Sequence, residues 1–217
     1  MKKFLVLFSL FLLPLVFYIF LSQGIYKYSN LPILTENVLD IKEISTEKDV
    51  SFSNKISIVC FLGSDIKTAK ASLFNLNQIV YKRYYPKPFF QAVAILPKAT
   101  ESEYLNVINE LSVFTDLSKW HFIYADTTNM QLLFNSLKTP YKLNKNGYSE
   151  YAYIIDKELR LRGRKDDEDT VGGELFGYNM RSVSTLKNKL KDDIDIIYYQ
   201  LKKTAEKEQR RKREKSQ

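Results

Sequence analysis

The sequence predicts an α/β fold in which helices flank a mostly parallel β-sheet. Short buried apolar runs alternate along the chain with longer segments whose apolar residues recur at helical spacing. Strands that alternate with helices favour βαβ units and therefore a parallel sheet. The composition agrees with an ordered domain, because 45% of the residues are hydrophobic and only 7 are Gly and 6 are Pro.

The sequence of the first part of the domain predicts three strands that alternate with three helices. The strands are the short apolar runs at residues 56–62, 90–96 and 120–124. The helices are predicted over residues 67–85, over 101–114, and from Asp126 or Thr127 to 137. Thr100 is a candidate cap for the second helix, since Glu103 follows three residues later.

The second part predicts a hairpin and a long final helix. Residues 151–155 and 159–162 form the two arms of an antiparallel hairpin. A polar loop over 165–173 separates the hairpin from a helix that begins near Ser182 and ends at about Lys203. Upstream of the domain, residues 31–34 and 38–44 are each candidates for a short edge strand.

The N-terminus carries a candidate membrane segment. Nineteen uncharged residues, from Phe4 to Ser22, follow Lys2 and Lys3, and about 20 apolar residues match the hydrocarbon core of a bilayer. The segment is either an uncleaved signal anchor or a signal peptide cleaved after small residues such as Ser22 and Gly24. The run is longer than an ordinary signal core, which favours the anchor, and the basic flank places the rest of the chain outside the cytoplasm.

The net charge of +8 is concentrated at the ends of the chain. Residues 202–217 hold eight Lys or Arg against three Glu, so the folded domain is nearly balanced. This tail has no aromatic residue for base stacking. We expect a solvated helix end, with contact to anionic lipid or another acidic surface as the alternative, and no nucleic-acid partner.

The chain has one cysteine and one histidine. Cys60 lies inside the first apolar strand, where a cysteine behaves as a small hydrophobic residue; the alternative is a reactive thiol. His121 follows Trp120 in the third strand, which favours a structural residue over a metal ligand or a general base. No internal disulfide can form, and a zinc site would require this Cys and His to meet.

An acidic run occupies the polar loop after the hairpin, and its members are Asp166, Asp167, Glu168 and Asp169. Four carboxylates followed by two glycines could supply oxygen ligands to Ca²⁺. The run lacks the spaced pattern of an EF-hand loop, and basic residues precede it directly. We therefore expect a solvated loop that pairs with its own basic neighbours.

Three stretches resemble the Sco/SenC branch of the thioredoxin-like proteins. They are the strand that ends at the Gly63 turn, the Trp120-His121-Phe122 segment, and the hairpin from Tyr153 through Glu158 to Leu161-Arg162-Gly163. Peroxiredoxin-like relatives share the hairpin. The resemblance implies a thioredoxin-like sheet flanked by helices, with an N-terminal membrane helix, in a family of copper-binding proteins used in cytochrome oxidase maturation. The acidic run and Phe176-Gly177-Tyr178 are also similar to uncharacterised membrane-associated proteins of Bacteroidetes-type bacteria.

The resemblance also implies metal and redox ligands that this sequence does not carry. The family places two cysteines after the first strand and a histidine before the hairpin, whereas Asp65 and Ala69 and then Tyr148 or Ser149 stand here. Soft thiolates with imidazole suit copper, and a carboxylate cannot exchange disulfides. We therefore expect a non-catalytic domain that has no cofactor. It would bind a protein partner, such as a respiratory-complex assembly factor or another envelope protein. The candidate contact surface comprises Gly63, Ser64, Asp65, Ala69, Tyr148 and Ser149.

Two alternatives remain open: a thiol redox protein that uses Cys60, and a carrier of copper or calcium. The expected organisation is a signal anchor over residues 1–24, a connector over 25–54, a thioredoxin-like domain over 55–180, and a C-terminal helix with its basic tail over 181–217. The expected location is the inner membrane with the domain in the periplasm, and secretion after signal cleavage is the alternative.

Overall fold

The computed structural model describes Phe8 and residues 10–19, 30–45 and 49–215. Contacts between Cα atoms divide the chain into two units. One unit comprises Pro32–Asp195 and the other comprises Met1–Leu31 with Ile196–Gln217. The candidate site lies entirely in the first of these units.

A seven-stranded mixed sheet forms the centre of the unit Pro32–Asp195. Its strands lie in the order β1-β6-β5-β2-β3-β4, and β7 also pairs with β5. Strands β2, β3 and β4 are parallel, whereas β5 is antiparallel to β2 and β6 is antiparallel to both β5 and β1. The predicted parallel core with an antiparallel hairpin beside it is therefore confirmed. The bounds are β1 (Ile33–Thr35), β2 (Ile56–Leu62), β3 (Phe90–Pro97), β4 (Trp120–Ala125), β5 (Tyr148–Ile155), β6 (Leu161–Arg162) and β7 (Tyr178–Asn179).

Besides 3₁₀ turns, four α-helices connect or follow these strands in the described part of the chain. Helix α1 (Ile66–Leu76) continues through a π-helical turn (Asn77–Tyr81) into Lys82–Tyr84. Helices α2 (Glu101–Phe114) and α3 (Thr127–Ser136) follow β3 and β4. Helix α4 begins as Val183–Thr185, passes through a second π-helical turn (Leu186–Leu190), and ends as Lys191–Lys215. The predicted helices over 67–85, 101–114 and 126–137 are confirmed to within a residue or two, which is the usual uncertainty of helix ends.

Side-chain oxygens cap three of these helices. Asp65 accepts from the Thr68 backbone N–H, Asp126 from that of Asn129, and Ser182 from that of Thr185. Each cap satisfies a backbone donor that has no partner within its helix. Thr100 makes no such bond, so the predicted cap is wrong; its hydroxyl instead donates to the Pro97 carbonyl.

One further expectation about local structure is wrong, and the confirmed hairpin differs from its predicted bounds. Residues 38–44 do not form a strand but contain a 3₁₀ turn at Ile41–Glu43. The buried Asp40 carboxylate accepts from the Phe52 backbone N–H at 2.8 Å and from the Ser51 hydroxyl at 2.6 Å, so it folds this segment onto residues 51–52. The hairpin is also asymmetric: β5 begins at Tyr148, and β6 is only two residues long.

Both faces of the sheet are buried. Successive side chains of a strand point to opposite sides, and every residue of β2 is buried. On one face the sheet packs against α3, in a cluster that includes Val59, Phe61, Ile123, Leu133 and Phe134. On the other face the indole N–H of Trp120 donates to Asn77 at the end of α1. The strands around β2 are therefore inaccessible except at their ends.

The predicted membrane segment falls partly on residues that lie outside the described ones, namely 4–7, 9 and 20–22. Residues 10–19 are helical, and their apolar side chains are exposed. Within the described part of the chain, no helix combines the length and the apolar character that crossing a bilayer requires.

Candidate functional site

The turn between β2 and α1 is fixed from two directions. Gly63 has φ +63°, and a Cβ on it would lie 2.7 Å from the Asn146 carbonyl oxygen. Tyr104 on α2 has a buried hydroxyl that donates to the Gly63 carbonyl oxygen at 2.8 Å and to that of Leu62 at 3.1 Å. These hydrogen bonds fix the turn to α2. The Ser64 N–H donates to the Asn146 carbonyl at 2.9 Å. Glycine is required here because only it combines this φ with such a close backbone approach.

Asp65 caps the N-terminus of α1 with its side-chain oxygens. It is exposed, and it accepts from both the hydroxyl and the backbone N–H of Thr68. These hydrogen bonds lower the pKa of Asp65. Ala69 follows one turn later, fully buried, and its N–H donates to the Asp65 carbonyl at 3.0 Å. Of these two positions only Asp65 faces solvent.

Tyr148 and Ser149 are neighbours on β5 that point in opposite directions. The Tyr148 and Ser72 hydroxyls lie 2.8 Å apart in the buried contact with α1. The Ser149 hydroxyl instead lies 3.0 Å from that of Tyr153. Of the six predicted surface residues, Asp65 and Tyr148 line one cleft, and Gly63 and Ser64 form the adjoining turn. Ser64 and Asp65 are exposed, whereas Gly63, Ala69, Tyr148 and Ser149 are buried.

An open cleft of about 370 Å³ lies at this end of the sheet. The rings of Tyr141 and Tyr151 are stacked, with centroids 3.9 Å apart and planes 6° from parallel. The candidate surface predicted from the sequence contains two of the lining residues, Asp65 and Tyr148, because no local pattern brings residues 141–151 next to α1. The lining residues are Asp65, Thr68, Tyr141, Lys142, Asn144, Tyr148, Glu150 and Tyr151.

Cys60 and His121 do not meet. Cys60 is fully buried between Ala94 and Ala152, and burial raises the pKa of its thiol. His121 is in register with Val93 on the neighbouring strand, whereas Cys60 is in register with Ala94, so the two side chains point to opposite faces of the sheet. Burial and the Lys55 charge lower the pKa of His121. A metal site built from this pair is excluded.

Two residues of the acidic run form ion pairs with Lys189 of the same chain. Lys189 donates at 2.7 Å to the buried Asp167 and is paired at 2.7 Å with Asp169. Asp166 and Glu168 are exposed. Among the residues that the structure describes, no three Asp, Glu, His or Cys side chains are arranged to hold a metal ion.

Among comparisons with known proteins, only the one with solved structures found matches. No family model matches the sequence, and no curated protein matches it. Solved structures do match. A SCO1/SenC family lipoprotein from Bacillus anthracis str. Ames has a TM-score of 0.51 at 12% identity, over 75% of this chain and 95% of that one. BsSco, described as a member of the Sco family of cytochrome c oxidase assembly proteins, has a TM-score of 0.50 at 13% identity, over 79% of this chain and 98% of that one.

A putative protein disulfide isomerase from Bacteroides thetaiotaomicron also matches, with a TM-score of 0.48 at 12% identity, over 76% of this chain and 92% of that one. The sequence resemblance to the Sco/SenC branch is confirmed at the level of structure. The chain therefore has a mixed α/β, thioredoxin-like fold of the kind seen in Sco/SenC proteins.

Proposed function

We propose that this chain is a membrane-anchored, non-catalytic thioredoxin-like module that binds a protein partner in the cell envelope through the cleft between α1 and β5. The observation that carries the proposal is the composition of the cleft. The end of β2, where α1 begins, holds the Asp65 carboxylate and no thiol, and the chain's one cysteine is buried inside β2.

The lining of the cleft suits a protein ligand. The stacked Tyr141 and Tyr151 rings offer a rigid aromatic surface, and aromatic side chains are enriched in protein interfaces. Asp65, Lys142 and Glu150 add exposed charges of both signs around it. Charges of both signs around the aromatic surface favour a partner with complementary charges in one orientation over non-specific binding.

Photo-crosslinking in the source bacterium tests the partner. A benzophenone amino acid replaces the exposed Lys142 in the cleft, and a matched variant carries it at the exposed Lys55, at the opposite end of β2. We expect one discrete adduct from position 142 and none from position 55. Glu150→Lys should abolish the adduct, whereas Glu110→Lys on α2 should not. Equal labelling from both positions, or an adduct insensitive to Glu150→Lys, contradicts the proposal.

The place of the module in the cell is part of the same proposal. An apolar anchor near the N-terminus would hold the domain on the periplasmic side of the inner membrane, and protease added to spheroplasts should then digest it. A role in respiratory-complex maturation is supported by the similarity in fold to BsSco, a member of the Sco family of cytochrome c oxidase assembly proteins. Deletion of the gene should lower the a-type haem signal in membrane spectra; an unchanged signal would remove respiration from the proposal and leave the binding role to the crosslinking test.

A second candidate, a redox protein that uses Cys60, is disfavoured by one observation. A reactive cysteine needs an accessible thiolate, whereas this thiol is fully buried and its pKa is raised.

A further inference from the structure

Strand β4 ends the sheet on the side away from the hairpin. Its neighbour on one side is β3, and no described strand pairs with its other side. Natural edge strands are usually blunted by a lysine, a proline, a bulge or very short length, because their unpaired backbone groups attract other strands. This edge carries none of these features: Trp-His-Phe-Ile-Tyr-Ala pairs with β3 in unbroken register over six residues.

The backbone of Phe122 points toward the open side. The carbonyl of Lys119 accepts from Ala92 N–H at 2.9 Å, so the backbone groups of residue 119 point to β3. In a parallel ladder every second residue does the same, which assigns His121 and Ile123 to the β3 side. The N–H and C=O of Phe122 therefore point away from β3, in the direction from which a further strand would approach.

The side chains of β4 are suited to pairing with a copy of the same strand. Trp120 and Phe122 lie on one face, with ring centroids 5.5 Å apart, while Ile123 faces the cluster on the other. A two-fold axis perpendicular to the sheet at Phe122 keeps both faces aligned. It pairs Phe122 with Phe122, Trp120 with Tyr124, and His121 with Ile123. Aromatic pairs directly opposite each other are favourable, and no like charges oppose each other.

We propose that two copies of the chain associate by antiparallel pairing of β4, with the symmetry axis at Phe122. A second copy fits this edge because Phe122 supplies outward backbone groups from both partners and the neighbouring side chains match. The Trp120 N–H already donates to the Leu117 carbonyl at 2.8 Å, so the Phe122 pair supplies the backbone hydrogen bonds at the axis. Strands β2 and β3 separate this edge from β5 and the cleft, so the inference is independent of the proposed function.

Sedimentation velocity of the full chain in detergent, over a range of concentrations, tests the association. We expect a concentration-dependent dimer. Phe122→Lys places two positive charges opposite each other and should weaken the dimer tenfold or more, with an unchanged far-UV circular dichroism spectrum as evidence of folding. Val171→Lys makes the same chemical change at a fully exposed loop residue and should leave the dimer intact. A monomer at every concentration, or equal weakening by both variants, overturns the proposal.

A spin label tests the geometry without relying on a destabilising variant. Phe122→Cys can be labelled selectively because the native Cys60 is buried. Labels at position 122 should show intermolecular dipolar broadening that disappears on dilution with unlabelled chain, whereas labels at the exposed Lys145→Cys should show none. A dimer without broadening at position 122 would place the contact elsewhere and refute β4 pairing.

Discussion

The hydroxyl oxygens of Ser72 and Tyr148 lie 2.8 Å apart in the buried contact between α1 and β5. These residues are separated by 76 positions in the sequence, so the bond ties the helix that follows β2 to the strand that returns beside it. The same two elements form opposite sides of the candidate cleft. The width of the cleft therefore depends on this contact.

A double-mutant cycle on this pair should reveal its contribution. Tyr148→Phe and Ser72→Ala each leave one buried hydroxyl without its partner, which costs about 1–3 kcal/mol of unfolding free energy. The double variant should lose less than the sum, with a coupling of about 0.5–1.5 kcal/mol. Urea unfolding measures all four proteins, and strictly additive losses would show that the two hydroxyls do not interact.

The thiol of Cys60 should be unreactive in the folded protein. Its side chain is fully buried, and burial raises its pKa, so both access and thiolate formation are suppressed. A thiol reagent such as DTNB should modify it only after urea unfolding. A Ser118→Cys variant, which adds an exposed thiol, should react at once and serves as the control. Rapid native modification of Cys60 would revive the redox alternative.

Two glycines with similar backbone angles should differ in their tolerance of alanine. Gly63 (φ +63°) has backbone atoms 2.7 Å from a built Cβ, whereas Gly172 (φ +86°) has nothing within 4 Å. Gly172→Ala should cost about 1–2 kcal/mol from backbone strain alone. Gly63→Ala adds overpacking of about 1–3 kcal/mol. Thermal unfolding followed by circular dichroism compares them, and equal losses would mean that the turn after β2 can move away from residues 146–148.

The ion pair between Asp167 and Lys189 should make stability fall in acid. Burial opposes ionisation, but hydrogen bonds from Lys189 and Thr170 outweigh it and lower the pKa of Asp167. The folded pKa is thus below the unfolded value of about 3.9, so the stabilisation is present above that value and is lost as the pH falls through the folded pKa.

Asp167→Asn should accordingly cost about 1–3 kcal/mol at neutral pH. The difference from wild type should shrink as the pH falls below about 4. Glu168→Gln alters an exposed neighbour and should stay within about 0.5 kcal/mol. Urea unfolding at several pH values tests this, and a difference that does not depend on pH would show that the Asp167 charge contributes nothing.

Local patterns explain why most elements were predictable. Residues 56–62 and 101–114 show their periods in the sequence itself, and the proline and glycine residues around them mark the breaks. The segment 38–44 was mispredicted because its fold depends on Asp40 accepting hydrogen bonds from residues 51 and 52. Thr100 was mispredicted because a 3₁₀ turn, Lys98–Thr100, runs directly into α2, so the backbone of Thr100 (φ −109°, ψ 13°) lacks the extended conformation of a capping residue.

The sequence by itself determined that Asp65 and Ala69, and no cysteine, follow the strand at residues 56–62, and that the whole chain has one thiol and one imidazole. Composition and local order suffice for such statements. Only the tertiary structure decided that Asp65 and Tyr148 line a cleft with Tyr141 and Tyr151 while Ala69 and Ser149 do not. The reason is that the direction of each side chain depends on strand register and on a loop that returns from about 80 residues away, and neither is encoded in a local pattern.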